Sequence, residues 1–105
     1  MRNEELLIRL TQTQGIAGYE KKVRELIEQE VRPYADELIV DPLGSLIAVK
    51  KGKGGPHSKK IMFAAHMDEI GFMVKKIEDD GRLLVCNVGW NWTASAYNTR
   101  VVFRN

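Results

Sequence analysis

Ile61-Met62-Phe63-Ala64-Ala65-His66-Met67-Asp68-Glu69 is the stretch that decides how this sequence is read. Its first five residues are apolar without interruption. That is the pattern of a strand covered on both faces, not of one that alternates between core and water. A histidine and two acids follow at once. Residues i and i+2 of an extended segment project to the same side, so His66 and Asp68 can converge. An imidazole can bind a metal through one nitrogen while the other donates to a carboxylate that fixes its tautomer. The ends of buried strands are also where α/β sheets place their ligands. Yet His-x-Asp is only two fixed residues, expected by chance in roughly one chain in ten of this size. On spacing alone, a satisfied strand-end histidine is the better reading.

Around that stretch the chain first reads as helix. Asn3 to Gln12 has an Asn at the N-cap position, Glu4 and Glu5 at the positive end of the dipole, and an apolar stripe of Leu6, Leu7 and Leu10. Gly15 and Gly18 break the pattern. A second helix is expected over residues 19–32, with Val23, Leu26 and Ile27 on one face. Opposite charges stand at i,i+4 in Glu20–Arg24, Arg24–Glu28 and Glu28–Arg32, and Pro33 ends the helix. The texture then turns to β. Strands are expected over residues 37–41, 45–50, 61–65, 71–77 and 82–87, with another β-like segment over 99–103. Pro42-Leu43-Gly44 and Glu78-Asp79-Asp80-Gly81 are the turns between neighbours. Two helices, a central apolar strand and hairpins around it make α/β or α+β texture.

The chain has 105 residues, 16 Lys and Arg against 14 Asp and Glu, 44% hydrophobic and 29% charged residues. A net charge of +2 gives no electrostatic case for a nucleic-acid partner or an anionic membrane. No apolar run is long enough to span a bilayer. The opening Met1-Arg2-Asn3-Glu4-Glu5 carries acids where a signal peptide needs basic residues and an apolar stretch. The lone Cys86 can make no internal disulfide, which suits a reducing compartment, so a cytoplasmic location is expected.

Other candidate chemistry has simpler explanations. His57 lies in the basic, glycine-rich connection over residues 51–59 and reads as a solvated loop residue. The lysines Lys50, Lys51, Lys53, Lys59 and Lys60 could form a phosphate patch, but Gly52-Lys53-Gly54-Gly55 lacks P-loop spacing and leads into no helix. Asp79-Asp80 are turn residues before they are paired carboxylates. Trp90, Trp92 and Tyr97 read as partly buried apolar surface at least as well as an aromatic ligand platform. Asn91-Trp92-Thr93 matches a glycosylation acceptor, relevant only on secretion. Cys86 reads as a packing residue.

Taken together, three motifs resemble the M42 metallo-aminopeptidases, the glutamyl and deblocking aminopeptidase group, some members of which have been labelled endoglucanases. Thr11-Gln12-Thr13-Gln14-Gly15-Ile16-Ala17-Gly18-Tyr19-Glu20 is similar to the family's opening Gly-x-x-Gly-x-Glu. Asp41-Pro42-Leu43-Gly44-Ser45 is similar to its Asp-x-Leu-Gly-Asn turn, with Ser in place of Asn. Ala65-His66-Met67-Asp68-Glu69-Ile70-Gly71-Phe72-Met73-Val74 matches its metal-site signature without a gap. Val88-Gly89-Trp90-Asn91-Trp92 departs from the family's Gly-Gly-Trp-Asn/Asp-Pro by one glycine and the proline.

The resemblance implies a dinuclear exopeptidase, using zinc or cobalt, that removes residues from peptides with a free N-terminus. It implies an α/β catalytic domain interrupted by a smaller β-rich dimerisation domain, in dimers to dodecamers. Residues 1–70 would open the catalytic domain and residues 71–105 the inserted one. His66 would be a metal ligand and Asp68 the carboxylate that orients it, whereas Glu69 receives no catalytic role. In that chemistry two cations hold and acidify a bridging water and polarise the peptide carbonyl, and a glutamate moves the proton.

The family's remaining ligands and its base lie well beyond the His-x-Asp signature, and no histidine follows His66 here. One histidine with its aspartate is not a dinuclear site; even a single catalytic zinc normally wants three protein ligands. The expectation is therefore an N-terminal fragment, inactive as this chain alone. The alternatives are a non-catalytic remnant that docks into a full-length oligomer, and a glycan hydrolase. The last is weak, because that chemistry wants two carboxylates facing a sugar cleft.

Overall fold

The computed structural model describes residues 3–55 and 58–103. The chain divides into two compact units, Met1–Asp68 and Glu69–Asn105.

The first unit begins with α1 (Asn3–Gln12) and α2 (Lys21–Val31). α2 starts later than residue 19 because Glu20 does other work. Its backbone is non-helical at φ −77° and ψ 0°, and its side chain accepts the Gly18 N–H at 2.7 Å. Pro33 does not simply stop the helix. The chain tightens into a 3₁₀ turn over Arg32–Tyr34, where a proline in the first turn forfeits no hydrogen bond. Val23 and Leu26 of α2 are the buried apolar side chains among the described residues. Their face is what the loop after α1 packs against. A Cβ on the buried Gly15 would stand 2.6 Å from Val23 Cγ1, so only glycine lets the chain pass this close.

An ion pair joins the helices, Arg9 Nη1 to Glu30 Oε1 at 2.6 Å. Of the expected i,i+4 pairs along α2, Glu28–Arg32 forms and Lys21–Glu25 joins it at 3.8 Å. Arg24 is drawn elsewhere: its Nη1 donates to the Gly44 carbonyl at 3.0 Å, tying α2 to the next hairpin.

That hairpin is β1 (Glu37–Val40) against β2 (Leu46–Val49), antiparallel, with Glu37 opposite Val49 and Val40 opposite Leu46. Asp41 organises its turn. The carboxylate accepts the N–H groups of Leu43 at 2.9 Å and Ser45 at 2.8 Å, and Gly44 takes φ +93°. These donors, the Ser45 N–H foremost, hold the Asp41 carboxyl below its usual value.

One central expectation fails here. Residues 61–65 form no strand, and among the described residues nothing pairs with them. Ile61, Met62 and Phe63 are 79%, 87% and 95% exposed. The apolar pattern reports that the segment needs cover on both faces, but a strand exists only through its neighbours. The two strands of this unit pair with each other instead.

The second unit is built on β3 (Gly71–Ile77) against β4 (Leu83–Val88), also antiparallel, with Gly71 opposite Val88 and Ile77 opposite Leu83. The register shifts between Val74 and Lys76, leaving Lys75 as an extra residue. The Asp-Gly signal is realised: Gly81 sits at φ +85°, and its N–H donates to the Glu78 carbonyl at 2.9 Å. Past β4 comes a 3₁₀ turn at Thr93–Ala96, and the expected segment over 99–103 is irregular. The chain thus combines helices with antiparallel hairpins. Both ladders are antiparallel.

Candidate functional site

The chain around Gly15 that packs on α2 also passes the segment carrying the His–Asp pair: the Met67 carbonyl is 3.4 Å from the point where a Gly15 Cβ would lie. Immediately beside it His66 and Asp68 meet, as the i,i+2 geometry predicts. His66 Nδ1 lies 3.1 Å from Asp68 Oδ1 and 3.1 Å from the Asp68 main-chain carbonyl oxygen. Both of those oxygens are acceptors. Nδ1 must therefore carry the proton, and in the neutral ring Nε2 presents its lone pair. The His66 side chain is 85% exposed and Asp68 41%. The geometry is that of an imidazole with one nitrogen anchored and the other available, which is what a metal-binding histidine needs.

The donor set stops there. Among the described residues no group of three or more His, Cys, Asp or Glu side chains could hold a metal ion. Glu69 next door is exposed and joins no such group. The residues present fit the part of one ligand with its orienting carboxylate, and they do not fit a metal pair.

The other sequence candidates fall to ordinary roles. His57 lies outside the described residues. Lys50 pairs with Asp36 at 3.2 Å, and the Lys51 N–H donates to the other Asp36 oxygen at 2.5 Å. These contacts, the Lys51 backbone first, hold the Asp36 carboxyl below its usual value. Asp80 accepts Arg82 Nε at 2.7 Å and the Arg82 N–H at 3.1 Å, so it closes the β3–β4 turn. Trp90, Trp92 and Tyr97 are largely exposed, so of the two readings the partly buried apolar surface is not what these residues form. Cys86 is half-buried on β4 opposite Met73. A hollow of about 190 Å³ beside α2 and β1, lined in part by Glu28, Arg32 and Asp36, includes neither His66 nor Asp68.

Sequence reading missed Asn91. Its Nδ2 donates to the Gly71 carbonyl at 2.5 Å and to the Val88 carbonyl at 3.1 Å, closing the open end of the β3–β4 ladder. The signals were its place at the Asn/Asp position of the segment that resembles the family's Gly-Gly-Trp-Asn/Asp-Pro, and two residues after Gly89, a glycine held at φ +75°.

Comparison with known proteins fits this architecture. The profile of the M42 glutamyl aminopeptidases matches residues 44–105, a span that takes in the His66–Asp68 pair. The chain belongs to the M42 peptidase family. A protein of Acetivibrio thermocellus is 48% identical over 101 residues, covering 96% of this chain and 29% of the relative. The lysyl aminopeptidase of Pyrococcus furiosus is 41% identical over 86 residues, covering 81% of this chain and 24% of its own length. Among solved structures, a Thermotoga maritima protein named endoglucanase superposes with a TM-score of 0.70 at 43% identity, covering 79% of this chain and 26% of that one. The dodecameric PhTET1-12s superposes with a TM-score of 0.70 at 40% identity, covering 86% of this chain and 26% of that one. The chain thus spans less than a third of the length of each of these proteins. Among the described residues no helix is long and apolar enough to cross a membrane.

Proposed function

We propose that this chain is the opening part of a metal-dependent aminopeptidase, acting in the cytoplasm on peptides with a free N-terminus. In this reading residues 1–70 begin the catalytic domain and residues 71–105 begin an inserted dimerisation domain. His66 supplies one ligand of a zinc or cobalt pair, and Asp68 is the positioning residue behind it. The assembly would be a homo-oligomer, as the dodecameric relative is.

The observation that carries the reading is the anchoring of His66 Nδ1 by two acceptors of Asp68, inside the span that matches the peptidase profile. An imidazole so held loses little freedom on binding a cation through Nε2. In this reading the remaining ligands and the base lie outside these residues, in keeping with the lack of a three-membered donor group among those described. The chain alone would then be inactive and bind metal weakly. Glycan hydrolysis gains no support from the arrangement: Asp80 closes a turn on Arg82, and Asp36 is held by Lys50 and Lys51.

The test is a fusion in which this chain replaces the matching part of the Thermotoga maritima relative. The fusion is expected to hydrolyse an aminoacyl-nitroanilide and to lose that activity with chelator, with His66→Ala inactive and depleted of metal by elemental analysis. Chelator-sensitive hydrolysis by the 105-residue chain alone would overturn the proposed division of ligands. A fusion that folds and binds metal but cleaves no aminoacyl substrate would overturn the activity.

A further inference from the structure

Gly15, Gly18 and Glu20 stand in the loop between α1 and α2, and each is fixed there for a different physical reason. Gly15 is buried, and a Cβ on it would stand 2.6 Å from Val23 Cγ1 and 3.4 Å from the Met67 carbonyl oxygen. Gly18 takes φ +87°, a left-handed conformation that turns the chain. Its N–H donates to Glu20 Oε1 at 2.7 Å, and within the same turn the Tyr19 N–H donates to the Ile16 carbonyl at 2.8 Å. The Glu20 carbonyl then accepts the Arg24 N–H at 2.9 Å, the bond that opens α2. The loop is thereby fastened to a helix whose Val23 and Leu26 are buried.

On its other side the loop meets the middle of the His–Asp pair. His66 Nδ1 reaches two oxygens of Asp68, each at 3.1 Å, and both can be met only for one course of the backbone through residues 66–68. The two side chains are 85% and 41% exposed, so water and not packing surrounds most of them. Packing acts on the backbone between them: Met67 is half-buried, and its carbonyl lies against Gly15. We infer that Gly15 and Glu20 are positioning residues for His66. Gly15 seats the Met67 peptide, and Glu20 holds the turn that presents Gly15 to it. What the pair is used for rests on the metal-site reading above; how the pair is held does not.

The test follows the ring nitrogens of His66 by ¹⁵N NMR in the metal-free 105-residue chain, at a pH where the ring is neutral, and metal affinity in the fusion with the Thermotoga maritima relative. In the wild-type chain the proton is expected on Nδ1. Gly15→Ala drives the loop off Val23, and Glu20→Ala frees the Gly18 N–H. Each is expected to shift His66 to a mixture of tautomers and to lower metal affinity by about tenfold or more. Glu20→Gln keeps an acceptor for the Gly18 N–H and is expected to retain the Nδ1 proton. Val23→Ala restores space in the Gly15→Ala chain and is expected to bring the Nδ1 proton back. Gly44→Ala is the control: at φ +93°, with its Cβ 2.9 Å from Arg24 Nη1, it strains the same unit without touching Met67. It is expected to change neither tautomer nor affinity. Glu20→Ala leaves the contact with Val23 intact, so the test stays decisive if Gly15→Ala does not fold.

A wild-type tautomer in both Gly15→Ala and Glu20→Ala, or an equal shift in Gly44→Ala, would overturn the inference. The metal-site reading fails separately. If His66→Ala keeps its metal in the fusion while Gly15→Ala still moves the tautomer, the positioning stands and the ligand role falls. If His66→Ala loses its metal while neither loop variant moves the tautomer, the ligand role stands and the positioning falls.

Discussion

His66 Nδ1 is shared between two oxygens of one residue, the Asp68 carboxylate and the Asp68 main-chain carbonyl, each at 3.1 Å. The side chain can be removed by substitution; the carbonyl cannot. Removing the carboxylate therefore weakens the anchoring without abolishing it. In the fusion with the Thermotoga maritima relative, Asp68→Ala is expected to lower metal affinity by about 10–100-fold, the usual cost of losing such a supporting partner. Asp68→Asn keeps a side-chain acceptor and is expected to lose less. The check is a metal titration of both variants, with ¹⁵N NMR of His66 reporting which ring nitrogen carries the proton. Equal losses in the two variants would mean that the charge matters and the hydrogen bond does not.

The loop that reaches this site depends on a missing methyl. A Cβ at Gly15 would meet Val23 Cγ1 at 2.6 Å, and Val23 is buried and stiff at χ1. Gly15→Ala is expected to destabilise the first unit by about 1–3 kcal/mol through overpacking. Gly18 offers a contrast, because a Cβ there meets nothing within 4 Å and only its φ of +87° resists substitution. Gly18→Ala is expected to cost about 1–2 kcal/mol through backbone strain alone. Urea unfolding measures both, and restoring space with Val23→Ala should recover part of the Gly15→Ala loss and none of the Gly18→Ala loss.

How much of this could be read in advance follows from the range of each interaction. Both helices and all four paired strands were legible, because period, glycine position and turn chemistry are local. The meeting of His66 and Asp68 was legible for the same reason: two residues apart, they need no tertiary contact. The fate of residues 61–65 was not. Their pattern states what environment the strand wants, while pairing depends on neighbours that the pattern does not name. Arg24 was misread in the same way, since the Gly44 carbonyl that claims it lies 20 residues away in sequence. Asn91 was overlooked because its bonds run to the Gly71 and Val88 carbonyls, groups without a sequence signature. The metal-ligand role proposed for His66 came from resemblance, since His-x-Asp alone was too short to carry it.

The Asp41 turn gives a pH dependence with a definite sign. Backbone N–H groups of Ser45, Leu43 and Gly44 favour the ionised carboxyl and lower its pKa below the ordinary 3.8. Between the folded and unfolded values the unfolded chain binds more protons, so stability rises with pH in that window. The contribution is present above the unfolded value and is lost as the pH falls through the folded one. A ¹³C-detected carboxyl titration is expected to place Asp41 below 3.8, and Asp41→Asn should flatten that part of the acid-unfolding profile. An Asp41 midpoint at or above that value would contradict the turn as described.

Asn91 closes the second unit much as Arg24 closes the first, by spending a side chain on carbonyls left over from other elements. The Gly71 and Val88 carbonyls sit at the open end of the β3–β4 ladder, where Gly71 and Val88 are themselves paired. Asn91→Ala removes both bonds and is expected to cost about 1–3 kcal/mol. The effect should be local: exchange of amides near Gly71 and Val88 speeds up, while the Ile77–Leu83 end, held by its own turn and by Asp80 on Arg82, changes little. Asn91→Asp discriminates the mechanism, since a carboxylate cannot donate to a carbonyl and places a charge beside two acceptors. It is expected to destabilise at least as much as alanine. An Asp variant as stable as wild type, by urea unfolding with exchange read at both ends of the hairpin, would show that the Asn91 amide does not hold the ladder closed.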